Sequence, residues 1–551
     1  MPDQLSGLGV SPGVVAGPVA RVAPPPVIPD DLPSPADADA EVERARDALA
    51  AVAADLEERG GGVDGEAAQI LQAQALMAQD PAVEDLVADR IAAGEPAPRA
   101  VAAAFAEFRT MLAAVGGYMA ERVADLDDIR NRVVARLLGV PMPGIPAPGH
   151  PYVLVATDLA PADTATLDVG TVLAIVTELG GPTSHTAILA KSLGLPAIVS
   201  CAGAGLLVDG ERVLVDADAG TVVRAPEEAA AAAAVSGYAL RKQRAAARSG
   251  PGRTADGVPV QLLVNIGGGP ELAAAAAADS EGVGLFRTEF LFLDRPEPPS
   301  REEQEAAYAR VFDAFAGRKV VVRTLDAGAD KPLRFVTVPD EPNPALGIRG
   351  LRTATRLPQL LDAQLAAIAR AASRGTAEVW VMAPMVSVAD EARSFAERVH
   401  GHGLQVAGVM VEVPSAALRA DQVLSACDFA SLGTNDLAQY TFAADRMAGE
   451  LAHLQDPWQP ALLELVRLTA AAGRQLGKPV GVCGEAAGDA LLAPVLVGLG
   501  VTSLSMAPIG LAAVRSALAE HTLEECRAMA AAALAAGSAV EARAAVAARA
   551  R

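Results

Sequence analysis

Between residues 257 and 510 short apolar runs recur at nearly even spacing, and this repeat constrains the fold more than any other feature of the chain. The runs are VQLLVNI, GVGLFR, KVVVRTL, EVWVMAPM, VAGVMVEV, DFASLG, PVGVCG and TSLSMAP, with helical segments between them. Eight units over this span give about 32 residues per strand and helix, the repeat size of a (β/α)8 barrel. An open doubly wound sheet is the alternative. The barrel is favoured because polar residues gather at one end of the runs: Arg287 after the second, Arg323 in the third, Glu412 at the fifth, Asn435 and Asp436 past the sixth, and Cys483 in the seventh. Strand C-terminal ends form the active face of a barrel. Arginine forks there take phosphate or carboxylate, and two hard carboxylates suit Mg²⁺ shared with a phosphorylated substrate. Any one of these residues alone reads as a surface ion pair, a helix cap or a core thiol. Their convergence on one rim points to a small, highly anionic substrate.

The first half of the chain has a different texture. A Gly/Pro-punctuated strand pattern opens it and ends in a proline-rich run, Pro24 to Pro33. From Ser34, an expected N-cap followed by Pro35, the spacing predicts helices over Pro35–Arg59, Glu66–Gln79, Ala82–Ala93, Pro98–Val115 and Tyr118–Leu138. Strand signals resume after Pro151 with YVLVA, TVLAIVT, LPAIVS, ERVLVDAD and GTVVRA. The expected organisation is an α/β domain made of 1–33 and 146–224, interrupted by a helical unit over 34–145. A linker helix and hinge over 225–256 follow, ending at Gly250-Pro251-Gly252, and then the barrel with C-terminal helices over 257–551. Within the α/β part, GGPTSHTAILAKSLGLPAIVS places His185 in the first turn of a helix, after a glycine turn. Exposed N–H groups and the positive dipole end favour an anion there, and a neutral imidazole is nucleophilic near pH 7. That setting suits a covalent phosphoryl carrier.

Charge and cysteine usage remove other classes. Lys+Arg 45 against Asp+Glu 67 leaves a formal charge of -22 with no basic stretch, so nucleic acid is not expected as a partner. The cysteines Cys201, Cys427, Cys483 and Cys526 show no paired spacing, which argues against a disulfide framework or structural zinc and fits a reducing, cytoplasmic setting. The first residues carry no export-signal pattern. Ala490 to Val514 is free of charge, but prolines and glycines break it, so it reads as buried helix, turn, strand and turn and no membrane insertion is expected.

Seven motifs in order resemble enzyme I of the bacterial phosphoenolpyruvate:sugar phosphotransferase system over essentially the whole chain. They are GGPTSHTAILAKSLGLPAIV, GVGLFRTEFLFLDR, VVVRTLDAGADKPL, NPALGIRGLR, GVMVEVPSAA, SLGTNDLAQYTFAADR and GVCGEAAGD. The resemblance implies a swivelling phosphohistidine α/β domain with an inserted helical bundle, a linker helix and a C-terminal TIM barrel. It implies that phosphoenolpyruvate phosphorylates His185, and that Arg287, Arg323, Arg446 and Asn435 hold the substrate. Glu412 and Asp436 would ligate Mg²⁺, and Cys483 would donate a proton. The helical unit, with Arg122 in YMAERVADLDDI, would dock the phosphocarrier HPr, and the barrel would dimerise. Pro182 stands where the family usually has a long side chain, an expected change in how phosphate approaches His185. Gln74 stands where it often has His, an expected retuning of the HPr surface. Pyruvate phosphate dikinase and phosphoenolpyruvate synthase share two of the domains but need a nucleotide-binding domain for which no span is left. The other alternative is a non-catalytic, phosphorylation-sensing regulator.

Overall fold

The computed structural model describes residues 3–550 except 23–24, 62–65, 116–122, 141–143, 147, 160–166, 182–183, 268, 270, 294, 328–332, 339–340 and 447. Residues 1–238 form one compact unit and most of 239–551 the other. In the first unit, strands β1 (Gln4–Ser6), β2 (Leu8–Ser11) and β3 (Val14–Arg21) open the chain. After the helical insertion come β4 (Tyr152–Ala156), β5 (Val172–Thr177), β6 (Ala197–Val199), β7 (Arg212–Asp216) and β8 (Thr221–Arg224). They make one mixed sheet in the order β1-β8-β7-β3-β4-β5-β6-β2. β3 is the seam: it runs parallel to β4, with Val19 opposite Val153, and antiparallel to β7, with Val15 opposite Val215. The opening strands therefore pair with those that follow the insertion, as the pattern predicts. Alternation of side chains across the sheet builds a core on each face, one around Val153, Val176 and Val215, the other around Leu154, Ile175 and Leu195.

The insertion consists of α1 (Ala38–Gly61), α2 (Glu66–Ala78), α3 (Pro81–Ala92), α4 (Ala97–Val115) and α5 (Val123–Leu138). Their apolar stripes meet in a separate core that includes Leu49, Leu56, Val87, Ile91, Val101, Phe105 and Ile129. Two expectations change here. Ser34 does not cap α1; the helix starts three residues later, where Asp37 Oδ1 accepts from the amides of Asp39 and Ala40 at 3.1 and 3.2 Å. A carboxylate two or three residues from those orphan donors outcompetes the more distant hydroxyl. Gln74 is only 1% exposed, so it belongs to the bundle interior and cannot tune a partner surface. Arg122 and Pro182 lie outside the described residues.

The second unit is a closed parallel barrel. Its strands are β9 (Gln261–Ile266), β10 (Gly282–Arg287), β11 (Lys319–Arg323), β12 (Glu378–Ala383), β13 (Ala407–Val411), β14 (Phe429–Leu432), β15 (Val480–Val482) and β16 (Ser503–Met506). β16 pairs with β9 to close the ring, so no edge remains. Every predicted run is a strand. Leu285, Val321, Met382, Met410, Phe429 and Cys483 pack inside the ring, and alternate residues such as Val283, Phe286, Val320 and Val322 pack outward against the helices. The charge-free stretch folds as a buried helix, Leu492–Leu499, followed by β16. Among the described residues no helix is long and apolar enough to cross a membrane.

Helix α7 (Glu228–Ala246) leads from the α/β sheet into the barrel sequence. The Gly250-Pro251-Gly252 segment after it, expected as a hinge, is fastened to the barrel. Gly250 N donates to Asp279 Oδ2 at 2.8 Å, Gly250 O accepts from Arg515 Nε at 2.8 Å, and Gly252 N donates to Glu281 Oε2 at 3.1 Å.

Candidate active site

The fold carries each predicted barrel residue to the C-terminal rim. Arg287 and Arg323 are the last residues of β10 and β11, and Glu412 and Cys483 directly follow β13 and β15. Asn435 and Asp436 stand in the first turn of the helix Thr434–Phe442, one residue past β14. Asn435 Oδ1 accepts from the amide of Glu485 at 3.1 Å, tying the sixth rim loop to the seventh.

Charges the sequence reading left without a role complete the rim. Arg323 is gripped from two sides: its Nη2 donates to Glu289 Oε1 at 2.9 Å, and its Nη1 lies 3.3 Å from Asp326 Oδ2. Arg349, 3% exposed, bridges two carboxylates, with Nη2 on Asp326 Oδ2 and Nη1 on Asp436 Oδ1, each at 3.0 Å. Tyr440 Oη accepts a further bond from Nη1 at 3.3 Å. Arg446 Nη1 reaches the other oxygen of Asp436 at 3.4 Å. Burial alone would depress Arg323 and Arg349, but the carboxylates around each outweigh it and keep both charged. Arg287 is half-buried and makes no ion pair among the described residues. Glu289, Asp326 and Arg349 all sit in motifs legible in the sequence, RTEF, RTLD and GIRG. Nothing in a linear pattern, however, says which charges a fold will bury together.

Glu412 is 1% exposed. Burial, then the Asp436 and Asp326 carboxylates, push it up to about 8 against the pull of Arg323 and Arg349. Its Oε1 accepts from the amide of Met385 at 2.7 Å, and Met385 adopts a left-handed conformation, φ 58°, to aim that N–H. Among the described residues no group of three His, Cys, Asp or Glu side chains is set as a metal site. Two buried carboxylates crowded against a third, in a place short of compensating charge, are nevertheless a donor pair suited to a hard divalent cation that takes its remaining oxygens from substrate and water. Cys483 lies against the same cluster; burial pushes its thiol up to about 11, with Ser431, Arg323 and Arg287 pulling it down.

The second constellation is in the α/β sheet. His185 is the first residue of α6 (His185–Leu193), between β5 and β6. Ser184 caps the helix, its Oγ accepting from Ala187 N at 3.2 Å, and Gly194 ends it at φ 67°, a conformation that favours glycine. The sequence pattern thus locates both ends of this helix to within a residue.

A parallel barrel whose rim pairs arginines with carboxylates, joined to an α/β domain with a histidine at a helix start, is the architecture of enzymes that use phosphoenolpyruvate. Family models of that class match three stretches: PEP-utilising enzyme, N-terminal, over residues 6–122; the mobile domain over 148–220; and the PEP-binding domain over 241–523. A protein of Streptomyces coelicolor named phosphoenolpyruvate-protein phosphotransferase is 56% identical over 98% of both chains. Proteins of the same name from Haloferax volcanii and Bacillus subtilis are 41% and 35% identical, each over 95% of both chains. The chain belongs to the phosphoenolpyruvate-protein phosphotransferase family, enzyme I.

Proposed function

We propose that this chain transfers the phosphoryl group of phosphoenolpyruvate to its own His185 and then to a histidine of HPr, releasing pyruvate as the first step of sugar uptake. The observation that carries this reading is the rim, where a thiol kept protonated stands beside buried arginines and a carboxylate pair. Arg287, Arg323 and Arg446, with Asn435, hold the substrate's phosphate and carboxylate. Glu412 and Asp436 would hold Mg²⁺, which would supply Lewis-acid stabilisation of the negative charge that develops on the substrate. A ring nitrogen of His185 bonds to phosphorus as the bridging P–O bond breaks, and the departing electron pair leaves as the enolate of pyruvate. The buried arginines favour that developing charge without reorganising. Cys483 gives its proton to C3 of the enolate, forming pyruvate, and the thiolate is reprotonated from solvent.

Arg122 and the helical insertion serve as the HPr docking unit, the barrel as the dimer contact, and the cytoplasm as the compartment. The domains divide accordingly, with phosphohistidine on 1–33 and 146–224, HPr docking on 34–145 and phosphoenolpyruvate on 257–551. A regulator that only senses phosphorylation would have no use for a donor thiol and a metal-ligand pair on the same rim. Pyruvate release from phosphoenolpyruvate, measured with and without HPr, decides between them: stoichiometric release alone and multiple turnovers with HPr are expected, and no release in either case overturns the proposal.

A further inference from the structure

Asp436 is proposed above as a metal ligand, yet in this structure both its oxygens already hold cations. Oδ1 receives Arg349 Nη1 at 3.0 Å and Oδ2 receives Arg446 Nη1 at 3.4 Å. The Arg349 contact is the tighter and drier of the two, with side chains 4% and 9% exposed against 18% for Arg446. Arg349 is also tethered on its far side, through Nη2 to Asp326 Oδ2 at 3.0 Å, and Asp326 shares that oxygen with Arg323. We infer that Arg349 is a resident competitor of the divalent cation: it occupies Asp436 in the substrate-free barrel, so that metal and phosphoenolpyruvate bind well only together.

The argument is one of charge balance in a buried place. A divalent cation arriving alone must break the Arg349–Asp436 pair, and the freed guanidinium keeps only Asp326, because the other carboxylate near it, the buried Glu412, is itself proposed as a ligand of that cation. An anionic substrate arriving alone must draw arginines away from Asp436 and leave that carboxylate uncompensated. When both arrive, the metal takes the carboxylates and the arginines take the anion, and no charge is stranded. Each ligand then raises the affinity for the other by the same factor, as linkage requires. Asp326 sets the strength of the competition. With Asp326 in place Arg349 is shared between two carboxylates, and without it the whole guanidinium falls to Asp436.

This inference rests on Glu412 and Asp436 being the metal ligands, and the test separates the two. Mn²⁺ binding to the full chain is titrated by electron paramagnetic resonance, first without substrate and then with phosphoenolpyruvate in a His185→Ala background, where the substrate is not consumed. Arg349→Gln is expected to bind Mn²⁺ about tenfold tighter than the parent without substrate, and to lose most of the enhancement that phosphoenolpyruvate brings. Arg349→Lys, whose single ammonium cannot span both carboxylates, is expected to move the same way and serves if the glutamine variant does not fold. Asp326→Asn should move oppositely, weakening Mn²⁺ binding without substrate. Opposite shifts are not what general loosening of the site would give. Unchanged or weaker binding in both Arg349 variants overturns the inference. Absence of Mn²⁺ binding by the parent even with phosphoenolpyruvate overturns the metal assignment itself, and the inference with it.

Discussion

A thiol that hands a proton to carbon, the role proposed for Cys483, has to be protonated when the carbanion forms, and burial in the barrel raises the Cys483 thiol accordingly. Its value of about 11 has burial as the main cause, and burial also pushes Cys201 and Cys427 up to about 12 and Cys526 to about 11. The native protein should therefore show no thiolate absorbance at 240 nm below about pH 10, whereas the unfolded chain titrates near ~8.5. The folded values lie above the unfolded one, so the thiols' contribution to stability is intact below pH ~8.5 and is lost as pH rises through the folded values. Thiolate signal in the native protein at about pH 9 that disappears in Cys483→Ala would remove Cys483 as a neutral donor. His185→Ala should abolish phosphoprotein formation while leaving thermal unfolding unchanged; an acid-labile, alkali-stable label in the variant equal to wild type would place the acceptor elsewhere. Most residues named from the sequence share a property that made them visible: Arg287, Arg323, Glu412 and Cys483 end or directly follow a strand whose type was readable, and Asn435, Asp436 and His185 stand in the first turn of the helix after one. Glu289, Asp326 and Arg349 were not singled out because their meaning lies in a pairing across the rim, which appears only after the barrel closes.

At the scale of elements, the anchoring of Gly250-Pro251-Gly252 moves any pivot toward helix α7 and its junction with the sheet. Glycine and proline next to each other read as a flexible joint from sequence, but here they serve close approach. A Cβ on Gly252 would lie 2.2 Å from Val260 O and 2.6 Å from Leu262 Cγ, the first a backbone atom of the strand entrance that cannot yield. Gly252→Ala should cost about 1–3 kcal/mol through overpacking, seen as a lower barrel melting temperature. Gly269→Ala, with nothing within 4 Å of the added carbon, is the matched control and should be near neutral. Equal melting temperatures for the two variants would mean that the segment is loose after all, and the hinge would return to it. Helix and strand identity was legible almost throughout because period and punctuation agreed. The start of α1 was not, since Ser34 with Pro35 satisfies the local rule for a cap as well as Asp37 does, and only the hydrogen bonds of the Asp37 carboxylate to the amides of Asp39 and Ala40 tell them apart.

Over the whole molecule, the proposed chemistry is divided: the groups assigned above to phosphoenolpyruvate lie on the barrel, while His185 lies in the unit formed mainly by residues 1–238. A fragment cut after Ala246, at the end of α7, should fold alone and exchange phosphoryl groups with labelled phospho-HPr, yet stay unlabelled by phosphoenolpyruvate with Mg²⁺. Labelling of the folded fragment by phosphoenolpyruvate would put the substrate site in the first half of the chain. The seam at β3 has a further consequence, for synthesis. Leu5 pairs with Val222 and Val19 with Val153, so the strands that leave the ribosome first have no partners until well over a hundred further residues have been translated. The bundle between them closes on its own core through neighbouring helices, α1 on α2, α3 on α4, α4 on α5. Local contacts form fast and distant strand pairings slowly. The nascent chain should thus hold a finished helical bundle behind three waiting strands, and the α/β domain should form in the order opposite to its numbering: the insert first, the host last.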